Sequence, residues 1–364
     1  MITRPLVILG TGRIARALLG QLLERDAYLR DRYGLELPVA AIGNSRYLVR
    51  GDPHVAPDHL AAIAARGLEA GEGVPADLLT DSGRQVVDFA NAQGEGGDGG
   101  EKVIVVDLTA SDDTTGTLVA ALDAGHDVAL ANKKPLCVAQ DVYTRLVENP
   151  HGHIAYEATV GAGLPIVATL RALFAAGDTL TEATACLSGT LGYVCTLLEE
   201  GRPLSEIVPE ARARGYTEPD PREDLGGDDV RRKALILART MGQCLEMADI
   251  APAPLIPLED GPLDAWLVGL ARHDRTLASR AHVAREQDLV LRYIARISPG
   301  GCEVGLREVP RVSAVGRLHD TDNLLTAYTR FYDERPLIIS GPGAGPNVTA
   351  AGVFADLLRL SGAG

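Results

Sequence analysis

Short apolar runs alternate with helical periodicities over the first third of the chain. Residues 5–9 read as a buried strand. They are followed by Gly10-Thr11-Gly12-Arg13-Ile14-Ala15 and an alanine- and leucine-rich helix to about residue 23. Residues 39–42, 103–108 and 127–130 are further apolar runs, with helical patterns such as 115–124 between them. Strands buried on both faces read as continuous apolar stretches, and their alternation with helices predicts an α/β fold with a parallel, doubly wound sheet. Residues 94–101, GEGGDGGE, read as a surface loop leading into the third strand. Beyond about residue 150 the texture changes. Residues 166–174 and 228–241 are patterned as helices, whereas 289–297, 326–331 and 337–340 alternate as strands do. A Gly341-Pro-Gly-Ala-Gly345 turn then leads into a last helix over 349–360. The second half therefore reads as a mixed α+β domain.

Composition narrows the function classes. At about 150 residues per domain, 364 residues suggest two domains. A net charge of −14 argues against a polyanion-binding surface, so no nucleic-acid partner is expected. No apolar run approaches the roughly 18 residues that span a bilayer, and the N-terminus shows no leader-like apolar stretch, so no membrane association is expected. The five cysteines, at 137, 186, 195, 244 and 302, lack metal-ligand spacing and read as free thiols of a cytoplasmic protein. Only four of the 35 basic residues are lysines: Lys102, Lys133, Lys134 and Lys233. Arginine holds its proton where a buried lysine can release it, which makes these lysines candidates for chemistry. Lys102, at the edge of the 94–101 loop, reads as an ordinary surface residue.

Four segments carry candidate chemistry. Gly10-x-Gly12-x-x-Ala15 follows a strand and opens a helix. The first glycine permits a tight turn, the second lets a pyrophosphate approach the backbone, and the helix N-terminus supplies N–H donors. The tip of the second strand, Gly43-Asn44-Ser45-Arg46, lacks the carboxylate that grips an adenosine ribose and offers Arg46, which favours NADP over NAD. Asn132-Lys133-Lys134-Pro135 follows the fourth strand, at the carboxyl edge where doubly wound sheets bind ligands, although a basic surface turn has the same pattern. In the polar segment 215–233, Asp229 and Lys233 share a helix face. Such a pair is commonly a solvated salt bridge, but the apolar ALILA that follows and Gly226-Gly227 before it favour a desolvated proton donor. Residues 156–165 join one acid to glycine-broken backbone, which alone reads as a hinge between domains.

Taken together these residues resemble the homoserine dehydrogenase family. GTGRIA at 10–15, ANKKPL at 131–136, YEATVGAGLPI at 156–166, SGTLGY at 188–193, GYTEPDPREDLGGDDVRRK at 215–233 and GPGAGPNVTAAGV at 341–353 stand in that family's order and spacing. The resemblance implies NAD(P)H-dependent interconversion of L-aspartate 4-semialdehyde and L-homoserine, in the biosynthesis of threonine, methionine and isoleucine. It implies a Rossmann-type dinucleotide-binding domain over 1–150, completed by the C-terminal helix at 341–364, and a catalytic and dimerisation domain over 151–340 of a homodimer. Lys233 is then the general acid, Asp229 orients it or binds substrate, and Lys133 lies near cofactor and substrate. Glu218 binds the substrate ammonium group, with Gly189, Thr190 and Gly215 bordering the substrate. Gly10, Thr11, Gly12, Arg13, Ile14, Arg46, Thr109, Lys133 and Gly345 contact the cofactor. Glu157, with backbone oxygens of Val160, Ala162 and Leu164, matches a structural sodium site. The chain resembles the short form of the family, without the threonine-sensing ACT domain or an aspartate kinase domain. The alternatives are another amino-acid-linked dehydrogenase on the same scaffold and a non-catalytic nucleotide-sensing paralogue.

Overall fold

The computed structural model describes residues 1–68, 79–81 and 102–363. It divides the chain into two compact units, Met1–Gly163 with Gly345–Gly364, and Leu164–Ala344. The 94–101 segment lies outside the described residues.

Among its described residues the first unit holds nine strands: β1 (Ile2–Thr3), β2 (Leu6–Leu9), β3 (Leu35–Glu36), β4 (Val39–Gly43), β5 (Tyr47–Arg50), β6 (Leu79–Asp81), β7 (Ile104–Asp107), β8 (Asp127–Leu130) and β9 (Ile154–Ala155). The main sheet runs β6-β5-β4-β2-β7-β8-β9, and β1 pairs with β3 beside it. Its β4-β2-β7-β8-β9 section is parallel, with Ile8 opposite both Ile42 and Val106. Contrary to a wholly parallel expectation, β5 and β6 run antiparallel. The cause is local. Asn44 Oδ1 accepts the N–H groups of Arg46 (2.8 Å) and Tyr47 (2.9 Å), which reverses the chain where a crossover helix would otherwise begin.

The helix Arg13–Tyr33 runs well beyond residue 23. Its second half is mostly charged and buries only Leu29, so periodicity alone does not reveal it; Gly34, at φ +60°, ends it. The C-terminal helix Pro346–Leu360 starts earlier than residue 349 because Pro346 suits a first helical position. It brings Ala350, Val353 and Leu357 into the core that contains Leu18, Leu19 and Ile8.

The second unit carries an antiparallel sheet of β10 (Leu180–Cys186), β11 (Leu289–Ser298), β12 (Gly301–Pro310), β13 (Asp322–Thr329) and β14 (Leu337–Pro342), in the order β12-β11-β10-β13-β14. The strand read at 326–331 begins four residues earlier, at Asp322, and ends at Thr329. The sheet packs Ala183, Ala185, Leu325 and Ala327, all fully buried, against helices that include Gly189–Glu199 and Asp228–Thr240. Among the described residues no helix is long and apolar enough to cross a membrane.

Candidate active site

In the first unit the carboxyl ends of β2, β4, β7 and β8 converge. Gly10, at φ +100°, leaves no room for a side chain, since a Cβ would stand 3.0 Å from the carbonyl of Leu108 and 3.2 Å from Thr109 N. Gly12 caps the helix Arg13–Tyr33 and faces open space, with nothing within 4 Å of where its Cβ would be. No acidic side chain sits in the first turn, so the free N–H groups of Arg13 and Ile14 and the positive end of the helix dipole are available to an anion. Thr11 Oγ1 accepts from Asn44 Nδ2 at 3.1 Å, tying the glycine turn to the tip of β4, while Arg46 is exposed.

Asp107, fully buried at the end of β7, was not apparent as a site residue from sequence. Its Oδ1 accepts Thr109 N–H (2.9 Å) and Oγ1–H (2.7 Å), and its Oδ2 accepts Thr114 Oγ1–H (2.7 Å) and Asn132 Nδ2–H (3.1 Å). Asn132, whose Nδ2 also donates to Thr109 Oγ1 (3.2 Å) and Ser111 O (2.8 Å), thereby ties the loop after β8, which carries Lys133, to the loop after β7. Lys134 is turned elsewhere, into a 2.7 Å exposed pair with Asp112, so it carries no sign of a catalytic task. Lys102 departs from its surface reading. It pairs at 2.6 Å with the buried Asp127, which Arg4 also contacts at 2.5 Å.

The same unit holds Glu157, Val160 and Ala162 at the turn after β9. Glu157 is buried and its carboxylate lies 3.2 Å from Arg359 of the C-terminal helix. Its N–H donates to Asp356 Oδ2 at 2.8 Å, and Asp356 is paired with Arg359 in turn. Two buried carboxylates thus face one guanidinium. Burial pushes the Asp356 carboxyl up to about 6. Gly161 and Ala162 take left-handed backbone, φ +78° and +56°. Leu164 opens the second unit, where its carbonyl accepts Ile166 N–H at 2.8 Å. Gly345, at φ +117°, caps the C-terminal helix.

In the second unit the helix Asp228–Thr240 starts at Gly227, φ +75°, where the Tyr293 hydroxyl fills the place of a Cβ. One turn in, Lys233 Nζ lies 2.9 Å from Asp229 Oδ2 and donates to the carbonyl of Leu187 at 2.6 Å. The lysine side chain is only 12% exposed, which separates this pair from an ordinary surface bridge. Ser188 Oγ accepts Leu191 N–H and begins the helix Gly189–Glu199, and Thr190 Oγ1 lies 2.9 Å from Asp224 Oδ1. Asp224 Oδ2 accepts Glu218 N–H at 2.8 Å. Burial raises the Asp224 carboxyl, and the nearby charges of Glu218 and Asp229 raise it further. The charges of Glu218, Asp224 and Asp229 therefore act on one another, an environment suited to a cationic amine, and Asp229 holds the Lys233 ammonium. Asp224 was missed by sequence reasoning; its signal was only its place in a dense acidic run. Gly215, φ +72° and exposed, ends the preceding helix and leads into Tyr216, whose carbonyl lies 2.5 Å from Thr190 Oγ1.

The chain matches two family models, one described as homoserine dehydrogenase over residues 165–358 and one as the homoserine dehydrogenase NAD binding domain over residues 10–156. It is 40% identical over 262 residues to a bifunctional aspartokinase/homoserine dehydrogenase of Haemophilus influenzae, covering 70% of this chain and 32% of that protein. The chain thus spans less than half the length of that relative. A Candida auris protein of unknown function has the same fold at a TM-score of 0.86, with 27% identity over 100% of this chain and 99% of that one. A hyperthermophilic archaeal homoserine dehydrogenase in complex with NADPH superposes at a TM-score of 0.74, with 24% identity over 99% of this chain and 98% of that one.

Proposed function

The chain belongs to the homoserine dehydrogenase family, and from that premise we propose that it interconverts L-aspartate 4-semialdehyde and L-homoserine with a nicotinamide cofactor. The observation that carries this reading is the Lys233 ammonium, held between Asp229 and the Leu187 carbonyl, with Asp229 in turn within the electrostatic reach of Asp224. Lys233 donates a proton to the aldehyde oxygen during reduction and takes it back during oxidation. Because the cation already faces the oxygen on which negative charge develops, the alkoxide is stabilised without a metal Lewis acid. Asp229 orients Lys233. Glu218 receives the substrate ammonium, and the N-terminal amides at Gly189 and Thr190 receive its carboxylate. Gly215 gives the loop before Glu218 the turn it needs to approach.

Bound NADPH supplies the hydride. Gly10, Thr11, Gly12, Arg13 and Ile14 cradle its diphosphate, with Thr109, Lys133 and Gly345 as further contacts. NADP is preferred because Asn44 is consumed by its turn and Arg46 stands exposed at the strand tip. A structural monovalent cation, sodium, fits Glu157 with the carbonyls of Val160 and Ala162. The buried Glu157 carboxylate and the left-handed backbone at Gly161 and Ala162 present oxygen donors of the kind a hard cation takes. The protein works as a homodimer in the cytoplasm. The open face of the second sheet, where Tyr328 and Ile338 are exposed, supports the former, and five cysteines outside any disulfide support the latter. No observation favours another amino-acid-linked dehydrogenase or a non-catalytic paralogue. The test is homoserine-dependent reduction of NADP and NAD measured side by side. Turnover faster with NADP is expected, and absence of turnover with either refutes the assignment.

A further inference from the structure

Asn323 is fully buried, and both its Oδ1 and Nδ2 lack a hydrogen-bond partner among the described residues. A buried carboxamide normally satisfies most of its four hydrogen-bonding positions, so this one stands ready for a group that the polypeptide does not provide. Its position says which. The β10–β13 ladder pairs Cys186 with Leu324, so one step further Asn323 stands opposite Leu187, the residue whose carbonyl accepts a hydrogen bond from Lys233 Nζ. On β13 Asn323 shares a face with Leu325 and Ala327, the face packed against the helices that carry Lys233 and Thr190. The residues just before it line the start of the helix Gly189–Glu199. A Cβ on Gly189 would lie 3.1 Å from Thr321 O, and one on Gly192 would lie 2.7 Å from Asp320 O. On its other side the carboxamide fills the place of a Cβ on Gly343, in an irregular stretch without ladder bonds.

We propose that Asn323 is a further substrate-binding residue whose carboxamide receives the α-amino acid head group, Nδ2 donating to the carboxylate and Oδ1 accepting from the ammonium. The inference rests on the amino-acid substrate proposed above. A carboxamide offers one donor edge and one acceptor edge, the complement of a zwitterion that presents an anion and a cation on adjacent atoms. The unpaired N–H groups at the start of the helix Gly189–Glu199 add to the carboxylate side, and Glu218 and Asp224 add to the ammonium side. The head group reaches Asn323 as the Gly343 backbone yields, which its lack of a side chain and of ladder bonds permits.

The experiment compares wild type, Asn323→Ala and Asn323→Asp in homoserine oxidation with NADP, with thermal melting of each protein. Loss of a hydrogen bond to a charged group is expected to raise the KM for homoserine about ten- to a hundredfold in Asn323→Ala, with the KM for NADP within about twofold and melting little changed. Asn323→Asp is expected to be worse than Asn323→Ala, because it sets a carboxylate against the substrate carboxylate. A purely structural amide predicts the reverse order, since Asp is the closer isostere. Melting that falls while the KM for homoserine holds, or a shift confined to the KM for NADP, overturns the inference. Wild-type turnover with an unaltered homoserine KM in both variants rejects Asn323 alone, whereas no wild-type turnover rejects the substrate assignment with it.

Discussion

Replacing Gly10 and Gly12 by alanine should give opposite outcomes, although the two glycines are two residues apart in one motif. At Gly10 the backbone is left-handed, φ +100°, and an added Cβ meets the Leu108 carbonyl at 3.0 Å and Thr109 N at 3.2 Å. The left-handed conformation costs about 1–2 kcal/mol for a residue with a Cβ, and forcing the methyl against backbone adds roughly 1–3 kcal/mol. At about 2–4 °C per kcal/mol for a unit of this size, Gly10→Ala should lower melting by roughly 4–20 °C. At Gly12 the backbone is extended, φ −75° and ψ −167°, and no atom lies within 4 Å of the added methyl. Gly12→Ala should therefore melt within about 3 °C of wild type, a weaker helix cap being the only loss. On the proposed placement its methyl stands where the cofactor diphosphate approaches the backbone, so the KM for NADP should rise more than about tenfold. The assay pairs scanning calorimetry with NADPH fluorescence titration and steady-state kinetics. Wild-type cofactor affinity in Gly12→Ala would refute the diphosphate placement, and wild-type melting in Gly10→Ala would refute the steric argument.

Other substitutions test other parts of the account. Burial pushes the Asp127 carboxyl up, but Lys102, Arg4 and the His153 N–H more than offset that and leave it lowered. Its stabilising contribution is present above the ordinary carboxylate range and is lost as pH falls through its depressed value, so Lys102→Met should lower melting at neutral pH and shrink the loss on acidification. Asp224 is raised instead, so it contributes stability at low pH that fades as pH rises through its elevated value. Asp224→Asn should flatten the stability profile across mildly acidic pH while raising the KM for homoserine, checked by melting and kinetics from pH 4 to 7 on the order of half-unit steps. Replacing sodium by choline should lower melting of the wild type, and Glu157→Gln should remove that difference; equal melting in both salts would reject the cation.

How much of this was legible beforehand depended on what each segment buries. β2, β7 and β8 sit inside a parallel sheet and present unbroken apolar runs, so their boundaries fall within a residue or so of the pattern. β10, LTEATAC, was hidden because its inward residues Ala183 and Ala185 are small and its outward ones polar, which leaves no apolar alternation to detect. β12 suffers likewise from Glu303, Arg307 and Glu308 on exposed positions. The second half of the helix Arg13–Tyr33 offers too few buried positions to show its period. Within the site, Lys233 and Asp229 could be paired from their spacing, because neighbours one helical turn apart meet wherever the helix lies. Asp107 and Asp224 could not, since Asn132 and Thr190 reach them from distant segments, and the unpaired carboxamide of the buried Asn323 shows only in the folded chain.

The most direct test is homoserine-dependent reduction of NADP by wild type, Lys233→Ala and Lys233→Arg. The arginine keeps a cation near Asp229 but cannot release a proton near neutral pH. Both variants should lose about a hundred- to ten-thousandfold in kcat while retaining wild-type affinity for NADPH. Full activity in Lys233→Ala would contradict the assignment of Lys233 as the proton donor.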